Sequence, residues 1–349
     1  MRRRWKILIG ALAALVVLLV VNALVTKGET KPAEVNVPGG KIVELPGADL
    51  QVVDRGPRDG SPVVLIHCFT CAIDWWDGVL PRLARTHRVI AMDLLGHGGS
   101  EKPTSGYTAA HQADLAAQIL GRLDVHDAEV VGHSLGGSVA VALAERSPQL
   151  VNRVVIVDTA PKNDSGDLGL LAGLAFAPVI GDALWRVKPD FATRKGLEVA
   201  FAPGFDVPDA FVEDVNGMTY NAYHDSPQGL EDYKGEAPLD ERMRRNGKPL
   251  MVIMGAEEQI IDEPAKRLAE YRANVPGAKT KLMQGVGHSP AVEAPTKTAA
   301  LILGFGAAGA DSKASGKSGT QPSIPQSKAK TKRELQETVQ SRNGVRRAP

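Results

Sequence analysis

The stretch AEVVGHSLGGSVAVALAER, Ala128 to Arg146, constrains the fold more than any other part of the chain. It opens on a short run rich in branched residues and closes on LGGSVAVALAER, which has helical character. Between the two lie Gly132, Gly136 and Gly137 around Ser134. A chain that passes from strand to helix in so few residues must turn sharply, and small residues on both sides of the serine permit that turn. Such a turn lifts the serine above the sheet and aims a helix N-terminus at it.

The surroundings repeat the pattern. Lys41–Glu44 and Leu50–Asp54 read as an opening antiparallel pair. Pro62–His67, Arg88–Leu94, Ala128–Val131, Arg153–Asp158, Pro249–Gly255 and Lys279–Gln284 read as short buried strands. Helical segments are expected over Thr108–Leu123, Leu135–Arg146, Glu263–Asn274 and Thr296–Leu303. Strands alternating with helices of this length predict an α/β fold, a mostly parallel sheet covered by helices on both faces. The rhythm breaks between Ala160 and Pro249, where an inserted helical cap is expected at about 161–247. Its apolar residues Leu168, Leu170, Leu171, Leu174, Phe176 and Trp185 either line a pocket or bury the cap against the body.

A serine nucleophile needs a base, and the base needs a carboxylate to orient it and stabilise its charged form. Of eight histidines, His288 stands in GVGHSP, in a turn between the last strand and the final helix. His67, His97 and His133 lie beside other motif loops and suit local hydrogen bonds. Glu257, Glu258 and Asp262 follow the strand PLMVIMG, and Asp158 ends RVVIVD. All four are candidate acids.

Gly132–Gly136, His288 in GVGHSP and the loop DLLGHGGSEKP (Asp93–Pro103) together resemble the α/β-hydrolase fold family, in its cap-bearing serine esterase form. The likeness covers roughly 41–306. It implies a catalytic triad in the order Ser134, Glu258, His288, because the family's acid usually lies three residues beyond a glycine that ends the seventh strand, here Gly255. Glutamate stands where aspartate is commoner. Asp158 matches the position after the sixth strand that some relatives use, and is the alternative acid.

The same resemblance gives HCFTC, His67–Cys71, a place as the loop after the third strand. It implies that the backbone amides of Phe69 and Leu135 bind the oxyanion, donors typically worth about 3–4 kcal/mol in the transition state. Cys68 occupies a position where glycine is usual, and cysteine tolerates positive φ poorly. The chain has only these two cysteines, too few for a structural zinc site. They are either a disulfide that stiffens the loop or two small buried thiols. Trp75 and Trp76 either support this loop or simply fill the core. No metal or organic cofactor is expected.

The ends differ from the body. Residues 1–25 contain Ile7–Val25, an almost wholly apolar run after Arg2, Arg3, Arg4 and Lys6. As a helix it would be roughly 28 Å long, close to a bilayer core. It is expected to be a transmembrane signal anchor with the N-terminus inside and the catalytic domain extracytoplasmic, or a signal peptide cut near Val21-Asn22-Ala23, leaving a secreted protein. Residues 26–40 read as a polar linker, 41–307 as the hydrolase domain and 308–349 as a disordered basic tail. That tail either stays solvated or touches anionic envelope components. The body between the ends is acidic, which argues against nucleic acid as a partner.

The expected function is hydrolysis of small carboxylic esters, lipophilic or short-chain, through an acyl-enzyme. Hydrolysis of a carbon–carbon bond by the same triad is the alternative enzyme. A non-catalytic, membrane-anchored binding protein is the alternative outside catalysis.

Overall fold

Period-two burial within each strand organises the molecule. In a computed structural model, Val64 and Ile66 face one buried cluster while Val63 and Leu65 face the other, and Val154/Ile156 and Val155/Val157 divide in the same way. A sheet buried on both sides must be covered by helices on both sides. The structure describes residues 2–163, 173, 176, 177 and 179–316. Leu168, Leu170, Leu171 and Leu174 of the cap lie outside the described residues, as does the tail from 317 onward.

The strands are β1 (Gly40–Leu45), β2 (Ala48–Arg55), β3 (Pro62–Ile66), β4 (Arg88–Met92), β5 (Ala128–His133), β6 (Val151–Val157), β7 (Leu250–Gly255) and β8 (Lys279–Met283). They form one eight-stranded sheet in the order β1-β2-β4-β3-β5-β6-β7-β8. β2 is antiparallel to both β1 and β4, and the pairs from β4 to β8 are parallel. The order reverses at β3, so the loops leaving β3 and β5 lie side by side at the carboxyl edge, where open α/β sheets bind ligands.

The helices are α1 (Arg2–Lys27), α2 (Leu80–Leu83), α3 (Ala109–Arg122), α4 (Leu135–Arg146), α5 (Ile180–Val187), α6 (Asp190–Leu197), α7 (Asp209–Gly217), α8 (Tyr220–Glu236), α9 (Leu239–Asn246), α10 (Pro264–Asn274), α11 (Pro290–Glu293) and α12 (Pro295–Gly316). One sheet face packs on α3, α4, α9 and α10, the other on α2, α11 and α12. α3 starts where Thr108 accepts a hydrogen bond from the amide of His111. α5 to α9 fall between β6 and β7, the interval where a helical cap is expected.

Two differences from the sequence reading stand out. The segment after α1 is tied to the body: Lys31 pairs with Lys102, and the Glu34 amide donates to the Gly99 carbonyl at 2.8 Å. α12 runs on to Gly316, past residue 308, because AAGADSKAS holds no proline to stop it. The helix α1 is long and apolar enough to cross a membrane.

Candidate active site

Ser134 sits between β5 and α4 with φ 51° and ψ −112°, a conformation costly for a residue with a Cβ. Neighbours hold it there. Its amide donates to the Val157 carbonyl at 2.8 Å, and its carbonyl accepts from the Gly137 amide and the Thr159 hydroxyl, both at 2.9 Å. The flanking glycines are required by contact. A Cβ on Gly132 would lie 2.1 Å from the Gly136 carbonyl oxygen, and one on Gly136 would lie 2.4 Å from the carbonyl oxygens of both Ile66 and His67.

That last approach brings the start of α4 against the root of HCFTC. Leu135 opens α4, so its amide has no carbonyl one turn back within the helix. Phe69 follows directly on the other side. A disulfide joins Cys68 to Cys71 with the Cα atoms 5.2 Å apart, bracketing Phe69. The positive φ expected at Cys68 falls instead on Thr70, at 61°. Behind this loop, His67 donates from Nδ1 to the Cys68 carbonyl at 2.7 Å and accepts at Nε2 from the Leu94 amide at 2.9 Å. Burial lowers its pKa to about 4, so it stays neutral and serves as a fixed brace. Asp93 accepts from the amides of Ile73 and Gly99, each at 2.8 Å, and thereby joins the two loops.

His288 lies in the loop after β8. Its Nδ1 donates to Glu258 Oε2 at 2.6 Å, and both side chains are buried. The other carboxylate oxygen, Oε1, accepts from the amides of Ile260 at 2.6 Å and Ile261 at 3.2 Å. Burial alone would raise the Glu258 pKa, but the charge and hydrogen bond of His288, helped by the Ile260 amide, bring it down to about 2. Glu257 and Asp262, the other candidates after β7, are exposed and do not meet His288. The residue before Ser134 also reaches this loop, since His133 Nε2 donates to the His288 carbonyl at 2.6 Å. Burial, then His288, lowers the His133 pKa to about 3, which keeps it a neutral donor.

Asp158 is fully buried, with φ 42°, at the end of β6. One carboxylate oxygen accepts from the Gly255 amide at 2.9 Å, while the other meets no donor and faces Glu258. Two carboxylates cannot face each other in low dielectric with both ionised. Burial, and next the charge of Glu258, pushes the Asp158 pKa well above the usual range, so Asp158 carries the proton. Ligand atoms of Asp158, Glu258 and His288 lie within 4.8 Å of one another, the only such three-residue cluster among the described residues. The 2.6 Å contact between His288 and Glu258 is a hydrogen bond with its proton between the atoms, so a metal there would have to displace it.

Glu293 was not singled out in the sequence, although it follows His288 by only five residues. Its carboxylate accepts from the amides of Gly287 and Ser289 at 3.0–3.1 Å, and from the Ala202 amide in the cap at 2.9 Å. It clamps the His288 loop to the cap. Gly255 and Gly287 allow the fit: a Cβ on Gly255 would lie 2.0 Å from the Gly287 carbonyl oxygen. The cap supplies an aromatic wall. Tyr223 lies 5.3 Å from Phe69, 5.2 Å from Phe176 and 4.7 Å from Trp185, ring centre to ring centre. Trp76 is buried in the core, while Trp75 stacks on Phe211 at 4.0 Å and donates to Asp214 at 3.3 Å, joining the loop to the cap.

The chain is 32% identical to the 2-hydroxymuconate semialdehyde hydrolase of a Pseudomonas species over 286 residues, covering 76% of this chain and 93% of that enzyme. Its fold is similar to that of a serine hydrolase involved in carbazole degradation (TM-score 0.61, 23% identity, 76% of this chain and 97% of that one). It is also similar in fold to a membrane phospholipase A described as a bacterial virulence factor (TM-score 0.64, 22% identity, 87% and 98%). The model of the alpha/beta hydrolase fold family matches residues 61–295. By that match and by its sheet, the chain belongs to the α/β-hydrolase fold family and is a hydrolase.

Proposed function

We propose that the chain is a membrane-anchored serine hydrolase that cleaves carboxylic esters through an acyl-enzyme. Ser134 attacks the carbonyl carbon while His288 takes the hydroxyl proton. The amides of Phe69 and Leu135 hold the oxyanion, and His288 returns the proton to the leaving alcohol. Water then repeats the sequence on the acyl-enzyme. Glu258 orients His288, and protonated Asp158 holds Glu258. The observation that carries this reading is the linkage of Ser134, through its neighbour His133, to the loop of a histidine bonded to a buried carboxylate at 2.6 Å. The aromatic wall of Phe69, Tyr223, Phe176 and Trp185 favours a lipophilic acyl group. Helix α1, apolar and preceded by positive charge, favours an anchor with the catalytic domain outside the cytoplasm.

A second reading rests on one relative, the 2-hydroxymuconate semialdehyde hydrolase, whose likeness covers 93% of its length. The same triad would then serve hydrolysis of a carbon–carbon bond beside a carbonyl. Labelling the purified protein with a fluorophosphonate, then assaying nitrophenyl esters of graded chain length beside a dienoic diketone, separates the two. Ester turnover that disappears in Ser134→Ala supports the first reading. Labelling with diketone turnover alone supports the second. Labelling of Ser134→Ala equal to wild type overturns both.

A further inference from the structure

Helix α5, Ile180–Val187, is apolar on two sides. Inward, Trp185 meets Tyr223, which meets Phe69 of the oxyanion loop. Outward, Ile180, Leu184 and Val187 recur at helical spacing and are 47%, 43% and 73% exposed. Phe191, in the next helix, continues the stripe at 76% exposed. A soluble protein seldom leaves such a run of large apolar side chains open to water.

The neighbour of α5 identifies what covers the stripe. α1 packs against α5 and α8, and its buried residues lie in its last turns. There Ala23 and Thr26 are buried, and the Lys27 carbonyl accepts from Asn221 of α8 at 2.9 Å. Over most of its length the apolar side chains of α1 face outward. If Arg2–Lys6 stay inside, a helix spanning Arg4–Lys27 meets the cap in its last turns, at the outer boundary of the bilayer. Any side chain beside α5 on the same surface stands at that boundary. Arg186 is exposed on the same helix, and Lys188 follows it with its ammonium 3.4 Å from the centre of the Trp185 ring; basic side chains at such a boundary are attracted to anionic lipid.

We propose that the outer face of α5, with Phe191, dips into the lipid bilayer that receives α1, so that the cap draws its acyl substrate from the membrane. The inference rests on the anchored-hydrolase reading above and adds the surface that meets the lipid. Trp185 shares one eight-residue helix with Ile180, Leu184 and Val187, so lipid contact and the aromatic wall beside Phe69 are mechanically joined.

The test uses the full chain in phosphatidylcholine vesicles, with and without phosphatidylglycerol. Single cysteines at Val187, Phe191, Leu15 or Arg58 each carry an environment-sensitive fluorophore, the native cysteines being joined to each other. Lipids spin-labelled near the headgroup should quench the labels at 187 and 191, leave that at 58 unchanged, and give way to deep-labelled lipids for quenching at 15. Quenching at 15 without quenching at 187 and 191 overturns the proposal while sparing the anchor. No quenching at 15 overturns the anchor and the proposal together. Cross-linking between copies at 187, with no lipid quenching there, overturns it in favour of a second copy. A Val187→Glu/Phe191→Glu double variant should lose roughly tenfold in turnover of a vesicle-borne ester and keep its turnover of a soluble nitrophenyl ester. Equal loss on both substrates also overturns the proposal.

Discussion

The carboxyl groups of Asp158 and Glu258 face each other at the ends of adjacent strands β6 and β7, where burial and the charge of Glu258 raise the pKa of Asp158 while His288 lowers that of Glu258. Asp158 holds the Gly255 amide with one oxygen and turns the other toward Glu258. Glu258 in turn holds His288. Of the two residues weighed as rival acids, only Glu258 meets His288, and Asp158 stands behind it.

This arrangement separates their variants. Glu258→Gln should lower kcat by roughly 10³–10⁴-fold, as loss of the orienting charge does in such triads. Asp158→Asn keeps a donor toward Glu258 and should cost roughly tenfold or less, the worth of one altered hydrogen bond. Asp158→Leu, which supplies no donor, should cost clearly more than Asn. Steady-state kinetics of the three variants check the order, and an Asn variant as crippled as Glu258→Gln would make Asp158 the triad acid.

Reducing the Cys68–Cys71 disulfide should lower kcat while KM and fold persist. The closed loop spans a sequence separation of only three, so the entropy it removes from the unfolded chain is small, about 2 kcal/mol. Phe69 lies between the two cysteines, and a loosened amide there weakens oxyanion binding by part of the roughly 3–4 kcal/mol such donors supply. Turnover and circular dichroism, before and after treatment with a dithiol, measure both effects. The Cys68→Ser/Cys71→Ser variant should match the reduced protein.

Gly136→Ala forces a Cβ to within 2.4 Å of two backbone carbonyl oxygens at the end of β3. Helix α4 must shift away from the HCFTC loop, separating the amides of Leu135 and Phe69. The expected result is a Tm lower by roughly 3–10 °C together with a fall in kcat of roughly 10–100-fold. Thermal melts and kinetics on the same preparation check it. Gly304→Ala, with nothing within 4 Å of the added carbon, is the control.

Stability should also respond to pH through Asp214, which accepts from Trp75 where the cap meets the oxyanion loop. Burial, then the neighbouring Asp74, raises its pKa to about 9. An acid with a raised pKa in the folded state binds its proton more tightly there. Its contribution is fully present below the unfolded value and is lost as pH rises toward about 9. Asp214→Asn should therefore flatten the decline of Tm between neutral and alkaline pH, which melts across that range would reveal. Glu258 has the opposite sign: its contribution is present above the unfolded carboxylate range and disappears as pH falls toward about 2.

The local pattern of the chain determined the parallel sheet, the elbow at Ser134 and the position of His288, because strand burial, glycine-flanked turns and helix periodicity are short-range properties. It placed β3, β5 and β7 within a residue or two of their observed limits. The family resemblance pointed to Glu258, three residues beyond Gly255, and the structure bonds that residue to His288. Other features depended on residues far apart in sequence. Glu293 bonding Ala202, Tyr223 meeting Phe69, and the union of Asp158 with Glu258 all follow from strand order and cap docking. The pairing of Cys68 with Cys71, left open by their spacing, followed from the loop backbone, which holds their Cα atoms 5.2 Å apart. Which carboxylate keeps its charge was decided last, by the partner each meets once buried: His288 lowers the pKa of Glu258, and Glu258 adds to the rise at Asp158. A sequence names the titratable groups, and only the packed interior sets how much each loses by leaving water.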